Sequence, residues 1–483
     1  MEGPFSHTER RPRSLAAIPL LVAAGIYVLL LGVGKGLLND PDTYWHIAVG
    51  RWIAAHGAVP KVDPFSFTMH GAHWIAFEWL SELIYAATFA VSGWPGVFAL
   101  AAAAIAAAFG LLTRFLLREW PAVPAVLAAM VAFVLAAPHM LARPHTLVLP
   151  IMVAWTAALV RAMDERSGPP YRALPLLLVW ANLHGSVILA IGLIGPAVLE
   201  TLLRERDAAG WARVLRQWLP FAALAIVVSC LTPYGPGSML VPLTTYGLGD
   251  ALNTIQEWRP RDFSHLGAFE ILLLLAIFAL TRGVRLPVVR TLVVLGLLHL
   301  SLSQSRNVDL LAMLAPLYLA RPLGPGFRAH ERDAVSAAGR VPRVAVPLAA
   351  LLMILATGLG FARHLAPNPL ITPKAAVEAT DLPRSEPVFN DYTFGGYLIF
   401  VGIPTFIDGR GELYGAQFIN RWYRAMMLSD LPDFEKLLDE YHIRSTLLTP
   451  KTPAVALLDR LPGWERAYAD DVAVVHKRRD IAH

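Results

Sequence analysis

The sequence predicts a polytopic α-helical membrane protein of about 11 transmembrane helices with a C-terminal soluble α/β domain. Hydrophobic residues form 56% of the 483 residues and charged residues 16%, and the mean hydropathy is +0.51. A soluble core of this size uses far less apolar surface. Long apolar runs end near residue 362, and a mixture of charged, aromatic and β-prone segments follows. We therefore expect a transmembrane domain over residues 1–362 and an extracytoplasmic α/β domain over residues 363–483.

The first apolar run begins close to the N-terminus. Arg10, Arg11 and Arg13 precede a run from about residue 15 to residue 34, and about 20 apolar residues are enough to cross a bilayer. A signal peptide has a shorter core and a small-residue cleavage site, so we interpret the run as an uncleaved span. A second run, over 81–117, is interrupted at Gly93 and Pro95. Further spans are expected at about 121–138, 146–162, 173–183, 186–203, 218–232, 267–281, 287–304, 307–321 and 344–362.

Basic residues are distributed unequally between the loops. One alternate set of loops carries most of the arginines, beginning with the N-terminal cluster. The opposite set carries Lys35, Arg51, Lys61, Arg143, Arg259, Arg261 and Arg306. By the positive-inside rule the arginine-rich loops and the N-terminus are cytoplasmic, and an odd number of spans places the C-terminal domain outside. Because the basic residues form no single patch or stripe, a nucleic-acid partner is not expected.

The stretch N-D-P-D-T-Y-W-H, residues 39–46, follows the first span and opens a predicted outer loop over residues 35–80. If a helix begins here, Asp42 and His46 are four residues apart and share one face. Two carboxylates and an imidazole at a membrane surface suggest the catalytic edge of a membrane enzyme. In the alternative interpretation, Asp40 and Pro41 form the N-cap and first turn, and Asp42 favours the helix dipole. The two roles are compatible.

Glu78 and Glu82 are also four residues apart, at the start of the next predicted helix. They can complete an acidic pocket with Asp42, either as a second acid or as ligands of a hard divalent cation such as Mg²⁺ or Mn²⁺. The candidate ligands of such an ion are Asp40, Asp42 and Glu78. Alternatively, the two glutamates are favourable charges at a helix N-terminus. No cofactor is certain, and metal dependence stays open.

Several outward-facing cations are candidates for binding a phosphate group, because polar residues at membrane depth are costly and need a reason. They are Arg143, His184, Arg259 and Arg306. Arg306 has an alternative partner in Asp309, three residues on. The apolar runs on either side of His184 are short, which favours broken helices that line a cavity. Glu257 and Trp258 lie in a long outer loop, over about 234–266, that can act as a lid or on the acceptor side, although Trp258 can equally be an interfacial anchor.

Helices and strands are expected to alternate after residue 363, as in a small α/β layer fold. The predicted helices are 373–380, 394–400, 416–441 and 454–461. The predicted strands are 387–390, 405–408, 445–448 and two closing strands around Ala467 and Val474. Asn390, Asp391, Asp408 and Arg410 follow strands, where α/β folds tend to bind ligands. The alternative is a purely structural domain that covers the transmembrane part and shapes the entrance for an acceptor.

Taken together, these motifs resemble those of one group of membrane enzymes. The stretch D-P-D-T-Y-W-H-I-A-V-G-R-W resembles the first extracytoplasmic loop of polyprenyl-phosphate-sugar-dependent glycosyltransferases of the GT-C superfold, especially bacterial ones. The motifs F-E-W-L, W-A-N-L-H-G, P-Y-G and I-Q-E-W-R-P, at residues 77–80, 180–185, 233–235 and 255–260, are similar to the same group. The C-terminal stretches N-D-Y-T-F-G-G-Y-L and F-I-D-G-R look like the soluble tails of bacterial relatives.

The resemblance implies a multi-pass protein of the bacterial cytoplasmic (inner) membrane that transfers a sugar from a polyprenyl-phosphate donor at the extracytoplasmic face. In that superfold the acidic residue after the first span is taken as the general base, which here is Asp42 or Asp40. Asp42 is favoured because His46, one turn on, can hydrogen-bond and orient it. The sequence has no W-W-D-type motif, which argues for a monosaccharide transferase and against an oligosaccharyltransferase. The acceptor, whether glycan, lipid or protein, stays open.

Two further functions compete with this one. A transporter or flippase would also have polar breaks in its helices, but transporters usually carry internal repeats, and none is visible in the sequence. A non-catalytic membrane scaffold derived from a GT-C enzyme would keep the same motifs without the reaction. An acidic outer loop combined with an outward α/β domain fits an enzyme better than a transporter.

Overall fold

The computed structural model of the protein describes residues 13–33, 35–254, 258–333 and 341–479. Arg10, Arg11 and Glu257, which entered the predictions above, lie outside these ranges. The first part of the chain is helical. Its α-helices are α1 (Arg13–Val33), α2 (Asp42–His56), α3 (Trp79–Leu116), α4 (Ala122–Ala136), α5 (Pro144–Glu165), α6 (Leu174–Leu183), α7 (Val187–Gly192), α8 (Ile194–Leu202), α9 (Ala208–Ser229), α10 (Gly237–Tyr246), α11 (Ala268–Thr281), α12 (Val288–Ser303), α13 (Val308–Asp333) and α14 (Ala345–Ala362).

Six of these helices are long and apolar enough to cross a membrane: α1, α3, α4, α5, α9 and α14. Their exposed apolar faces, as along α14, are the surfaces that lipid would cover. Other apolar segments, including α11 and α12, have only 10–17 helical residues. The chain is thus a multi-pass membrane protein, while the total of about 11 spans stays a prediction.

Two predicted interruptions are present. Within α3, Gly93 has a φ of 61° and a ψ of −157°, and Pro95 follows it. Helix α6 ends at Leu183, His184 takes an extended conformation, and α7 starts at Val187. Helix α2 ends as expected, with Gly57 in the left-handed region and its N–H bonded to the carbonyl of Ile53. The segment 234–266, predicted as a loop, instead contains α10.

The C-terminal part is a small α/β layer. Its helices are α15 (Lys374–Thr380), α16 (Gly395–Val401), α17 (Gly411–Met426), α18 (Leu431–Glu440) and α19 (Pro453–Leu458). Its strands are β1 (Val388–Asn390), β2 (Ser445–Leu448), β3 (Trp464–Ala469) and β4 (Val474–Arg478). The sheet order is β1-β2-β4-β3, in which β1 and β2 are parallel and the other pairs antiparallel.

Two C-terminal predictions are wrong. The strand expected at 405–408 is reduced to isolated bridges, in which Thr405 pairs with Ser66 and Val388. The single helix expected over 416–441 is divided into α17 and α18. Leu428 takes a positive φ of 53° between them, and the Asp430 side chain accepts the backbone N–H of Asp433 as a new N-cap. Helix periodicity alone does not reveal that α17 ends before α18 begins.

A buried ion cluster joins the loop between α2 and α3 to the C-terminal part. Arg410 donates from Nη1 to Oδ1 of Asp63 at 2.6 Å, and from Nη2 to Oδ2 of Asp408 at 2.6 Å. Its guanidinium also lies 4.7 Å from the ring centre of Trp74. None of the three charged side chains is exposed to solvent. Burial opposes the charge of Arg410, but Asp408 and the neighbouring acidic groups raise its pKa well above the ordinary value.

We expect Arg410→Ala to destabilise the protein strongly. The substitution leaves the carboxylates of Asp63 and Asp408 buried without their cation, and breaking such a pair costs about 3–5 kcal/mol. Thermal unfolding of the purified protein in detergent should show a large drop in midpoint. Arg424→Ala is the matched control, because Arg424 is exposed on α17, the helix that Arg410 precedes. Equal midpoints for the two variants would contradict the role of the cluster.

Candidate active site

The carboxylates of the N-D-P-D motif meet Arg143 at the start of α2. Arg143 donates from Nε and Nη2 to the two carboxylate oxygens of Asp40, with Nη2 2.9 Å from Oδ1. The same Nη2 lies 3.1 Å from Oδ2 of Asp42. Asp40 also accepts the backbone N–H of Asp42 at 2.9 Å, which fixes the first turn of the helix. One guanidinium therefore bridges the two carboxylates that the sequence singled out.

Backbone contacts hold Arg143 in this position. The segment before α5 lies against the start of α2, where Thr43 Oγ1 donates to the carbonyl of Ala142 at 3.0 Å. The hydroxyl of Tyr85, on α3, donates to the carbonyl of Arg143 itself at 3.0 Å. Asp40 has no exposed side-chain surface, whereas 21% of the Asp42 side chain and 17% of the Arg143 side chain are exposed. Asp42 is thus the more accessible of the two carboxylates.

The C-terminal part completes the surroundings of Asp42. A methyl group added to Gly409 would lie 2.2 Å from Oδ1 of Asp42, and one added to Gly396 would lie 2.3 Å from the carbonyl oxygen of Pro41. Only glycine permits backbones to approach side chains this closely. Gly409 lies between Asp408 and Arg410, so the buried ion cluster described above fixes the backbone that touches Asp42. The F-I-D-G-R stretch is recognisable in the sequence, but its spacing does not connect it with Asp42.

A second group of polar side chains lies one turn further along α2. Nδ1 of His46 is 3.3 Å from Oε1 of Glu82 and 3.7 Å from Oε2 of Glu78. The sequence predicted that His46 would hydrogen-bond Asp42, and the contacts observed for Nδ1 are with these two glutamates. All three side chains are buried, with residue exposures of 3% for His46, 8% for Glu78 and 1% for Glu82. The second oxygen of Glu82, Oε2, has no hydrogen-bond partner within the described ranges.

His184 approaches Glu78 from the break between α6 and α7. Its Nε2 lies 3.0 Å from Oε1 of Glu78, and its Nδ1 accepts the backbone N–H of Ser186 at 3.0 Å. The acceptor role of Nδ1 places the ring proton on Nε2, from which it is donated to the carboxylate. Trp79 Nε1, which donates to Asn182 Oδ1 at 3.0 Å, docks this break onto the start of α3. The predicted helix break therefore has a defined position beside Glu78.

Burial controls the protonation of this second group. It lowers the pKa of His46 to about 4, which the charge of Glu78 opposes. Burial alone would raise the pKa of Glu78, but the neighbouring His184, His46 and Arg306 hold it below the ordinary value. At neutral pH, His46 is therefore uncharged and Glu78 is ionised.

The remaining predicted site residues are Arg306, Trp258, Arg259 and Glu257. The Arg306 guanidinium lies 4.5 Å from the ring centre of Trp258, and its charge acts on both Glu78 and Asp309. The carbonyl of Arg259 accepts the N–H of Ser305 at 3.1 Å, which holds Trp258 next to Arg306, while the Arg259 residue is exposed. Glu257 lies outside the described residues.

Gly50 determines how closely α2 and α3 cross. A methyl group at this position would lie 2.0 Å from the carbonyl oxygen of Glu82 and 2.7 Å from the methyl of Ala86. Gly50 is one turn beyond His46 on α2, so the crossing brings His46 directly against Glu82. The motif D-T-Y-W-H-I-A-V-G contains this glycine, but its spacing alone does not show which helix it faces.

Comparison with solved structures identifies the fold. No protein-family profile matches the chain, and no curated protein matches it in sequence. Among solved structures, the oligosaccharyltransferase AglB from Archaeoglobus fulgidus superposes with a TM-score of 0.54 at 12% identity, covering 90% of this chain and 69% of AglB. ArnT from Cupriavidus metallidurans, in its apo state, superposes with a TM-score of 0.52 at 15% identity, covering 96% of this chain and 98% of ArnT.

The structural similarity therefore covers both the helical part and the C-terminal part of this polytopic membrane protein. AglB and ArnT are both members of the GT-C superfold. This chain has the GT-C fold, as the sequence motifs predicted.

We expect Gly50→Ala to lower stability, because the added methyl group forces α2 away from α3, and overpacking of this kind costs typically about 1–3 kcal/mol. The unfolding midpoint in detergent should fall relative to the wild type. Gly192→Ala is the matched control, because a methyl group there meets nothing within 4 Å. An unchanged midpoint for Gly50→Ala would show that the helix crossing is not as close as described.

Proposed function

We propose that this protein is a glycosyltransferase of the bacterial cytoplasmic membrane that moves a sugar from a polyprenyl-phosphate donor to an acceptor at the extracytoplasmic face. The observation that carries the proposal is the pairing, within a GT-C fold, of the partly exposed carboxylate of Asp42, at the start of α2, with the guanidinium of Arg143. The AglB structure was solved with a dolichol-phosphate and a peptide, which supports a lipid-linked donor of this kind. The N-terminus would be cytoplasmic and the C-terminal domain extracytoplasmic.

Asp42 is the proposed general base. It would accept the proton of an acceptor hydroxyl while the acceptor oxygen forms a bond to the anomeric carbon of the sugar. Asp40 is fully buried and is occupied by Arg143 and the backbone N–H of Asp42, so it would position the other two groups. The exposure of Asp42 supports this choice between two carboxylates that the sequence leaves open.

The leaving group would be the polyprenyl phosphate, which departs with the electrons of the broken bond between the anomeric carbon and the phosphate oxygen. Arg143 lies 3.1 Å from Asp42, and its planar fork suits phosphate oxygens. We propose that Arg143 keeps its bond from Nε to Asp40, while Nη2 exchanges its contacts with the two carboxylates for the phosphate. Arg306, whose charge acts on Glu78, would contribute further positive charge, with His184 and Arg259 as additional candidates and Trp258 on the acceptor side.

The acceptor would enter beside the C-terminal part. A cavity of about 490 Å³ is lined by Pro41, next to the two carboxylates, and by residues that follow β1 and β2, including Thr393 and Thr449. The carboxyl ends of parallel strands commonly bind ligands. Hydroxyl, backbone and carboxylate groups in this cavity suit a polar, hydroxyl-bearing acceptor.

The divalent cation considered for Asp40, Asp42 and Glu78 fits this arrangement poorly. The guanidinium of Arg143 already lies between the first two carboxylates and offsets part of their negative charge. Glu78 faces His46 and His184 instead. The transfer step at Asp42 is therefore proposed without a metal ion between these carboxylates.

We expect Asp42→Asn to abolish most sugar transfer, by about 100- to 10,000-fold, because the amide cannot accept the proton. Membranes containing the protein would be incubated with radiolabelled polyprenyl-phosphate sugars, and the labelled product would be separated from the donor. Asp439→Asn, at an exposed position on α18, is the control and should be active. Near-normal transfer by Asp42→Asn would rule out the base. Movement of label across sealed vesicles without transfer would indicate a transporter.

We also expect Gly409→Ala to reduce turnover sharply while the protein still accumulates in membranes. The methyl group would displace the Asp42 carboxylate, because it would lie 2.2 Å from Oδ1. The same transfer assay should show mainly a lower kcat, since a misplaced base slows chemistry more than donor binding. Gly358→Ala, with nothing within 4 Å, serves as the control. A wild-type kcat in Gly409→Ala would contradict the proposal that the C-terminal part positions Asp42.

A further inference from the structure

Beside Asp42, and separate from it, His46, Glu78 and Glu82 form a compact group with mixed ligand chemistry. One ligand atom from each residue lies within 4.8 Å of the others. The three residues come from two elements: His46 from α2, and the two glutamates from the start of α3. The close crossing of these helices at Gly50 holds the three side chains together.

We propose that His46, Glu78 and Glu82 bind a transition-metal ion, with Zn²⁺ as the preferred ion. Binding does not depend on the proposed sugar transfer. The ligand set differs from the carboxylates Asp40 and Asp42, which Arg143 occupies. One imidazole and two carboxylates form a nitrogen and oxygen set that suits zinc, and manganese less strongly.

The distances between side-chain atoms favour shared ligands over simple hydrogen bonds. Nδ1 of His46 is 3.3 Å from Glu82 and 3.7 Å from Glu78, whereas charge-assisted N–H···O bonds are about 2.7–2.9 Å long. Ligand atoms about 2.1 Å from a tetrahedral zinc ion are about 3.4 Å from each other. The two distances from Nδ1 of His46 are therefore close to those between ligands around one ion.

The unsatisfied oxygen of Glu82 provides independent support. Glu82 is 1% exposed, and its Oε2 has no hydrogen-bond partner within the described ranges. A buried polar atom without a partner is costly, and buried carboxylates normally pair with a cation or coordinate a metal. Glu78 has His184 as a close partner, whereas the contacts of Glu82 lead back to His46.

His184 has the position of an outer-shell residue. Its Nε2 donates to Oε1 of Glu78 at 3.0 Å, while Oε2 of the same carboxylate faces His46. The backbone N–H of Ser186 fixes the tautomer of His184. Partners of this kind orient metal ligands, and their removal typically costs about 10- to 100-fold in affinity. His184 would thus position Glu78 without contacting the ion.

Metal binding by the purified full-length protein tests the proposal directly. The protein in detergent would be stripped with a chelator and titrated with Zn²⁺ by calorimetry, with metal content measured after dialysis. We expect one ion per chain, at least a 100-fold loss of affinity in Glu82→Gln and His46→Gln, and a smaller loss in His184→Ala. Mn²⁺ should compete less well than Zn²⁺, and Mg²⁺ hardly at all.

Asp40→Asn and Asp42→Asn are the matched controls, since they remove carboxylates close to the group but outside it. Both should bind Zn²⁺ as the wild type does. Loss of binding in these variants with retention in Glu82→Gln would overturn the proposal and place the ion between the aspartates. Absence of stoichiometric binding by the wild-type protein would also overturn it. Neither readout requires donor or acceptor, so a failure here is distinguishable from a failure of the transfer assay.

A spectroscopic measurement covers the case in which a glutamate variant does not fold. Pulsed electron paramagnetic resonance of wild-type protein loaded with Mn²⁺ should show a nitrogen coupling from a directly bound imidazole. His46→Gln should lose this coupling, whereas His184→Ala should keep it. A wild-type spectrum without nitrogen coupling would contradict the ligand set.

Discussion

The cost of burying charge is the constraint on which this architecture depends. Carboxylates and cations are brought together where α2 begins, and each buried charge needs a partner there. Arg143 supplies that partner for Asp40 and Asp42. Arg410 does the same for Asp63 and Asp408. The helices around them can be apolar because the charges are paired within a small region.

These pairs also connect distant parts of the chain. Asp63 lies in the loop between α2 and α3, whereas Arg410 lies at the start of α17, and their bond joins segments 347 residues apart. Gly409, held between Asp408 and Arg410, then contacts Asp42. The C-terminal part is therefore a wall of the candidate site as well as a cover for the helices. A small α/β layer can serve in this way because both a helix, α16, and the loop at Gly409 reach the start of α2.

Local patterns in the sequence predicted local structure well. Capping glycines and apolar periodicity gave the end of α2, the interruption of α3 and the break before α7, because each depends on residues close in sequence. Thr405 shows the limit of this reasoning. It was predicted within a strand, but its backbone instead forms bridges to Ser66 and Val388, and a remote loop determines that pairing. The end of α17 was missed because a positive φ at Leu428 is not visible in a periodic pattern.

The candidate site was predictable in its residue types but not in its pairings. The sequence identified Asp40, Asp42, His46, Glu78 and Arg143, yet it joined His46 to Asp42 because both lie on one helix face. Nδ1 of His46 contacts Glu78 and Glu82 across the crossing of α2 and α3, and Arg143 reaches Asp40 over 103 residues of sequence. Such contacts follow from how helices cross, and a single sequence does not contain that information.

Helix α2 gives the two groups of side chains a common support. Asp42 is in its first turn and His46 is one turn later, so any shift of the helix moves both. The first group faces Arg143 and the C-terminal part, while the second faces α3 and the break at His184. An ion held by His46 and the glutamates would tie α2 to α3 and thereby fix the direction of Asp42, even without contacting a substrate. A misplacement of about 1 Å can cost a reaction about 100-fold in rate, and here the placement of the base would be fixed by charges that never meet the reacting atoms.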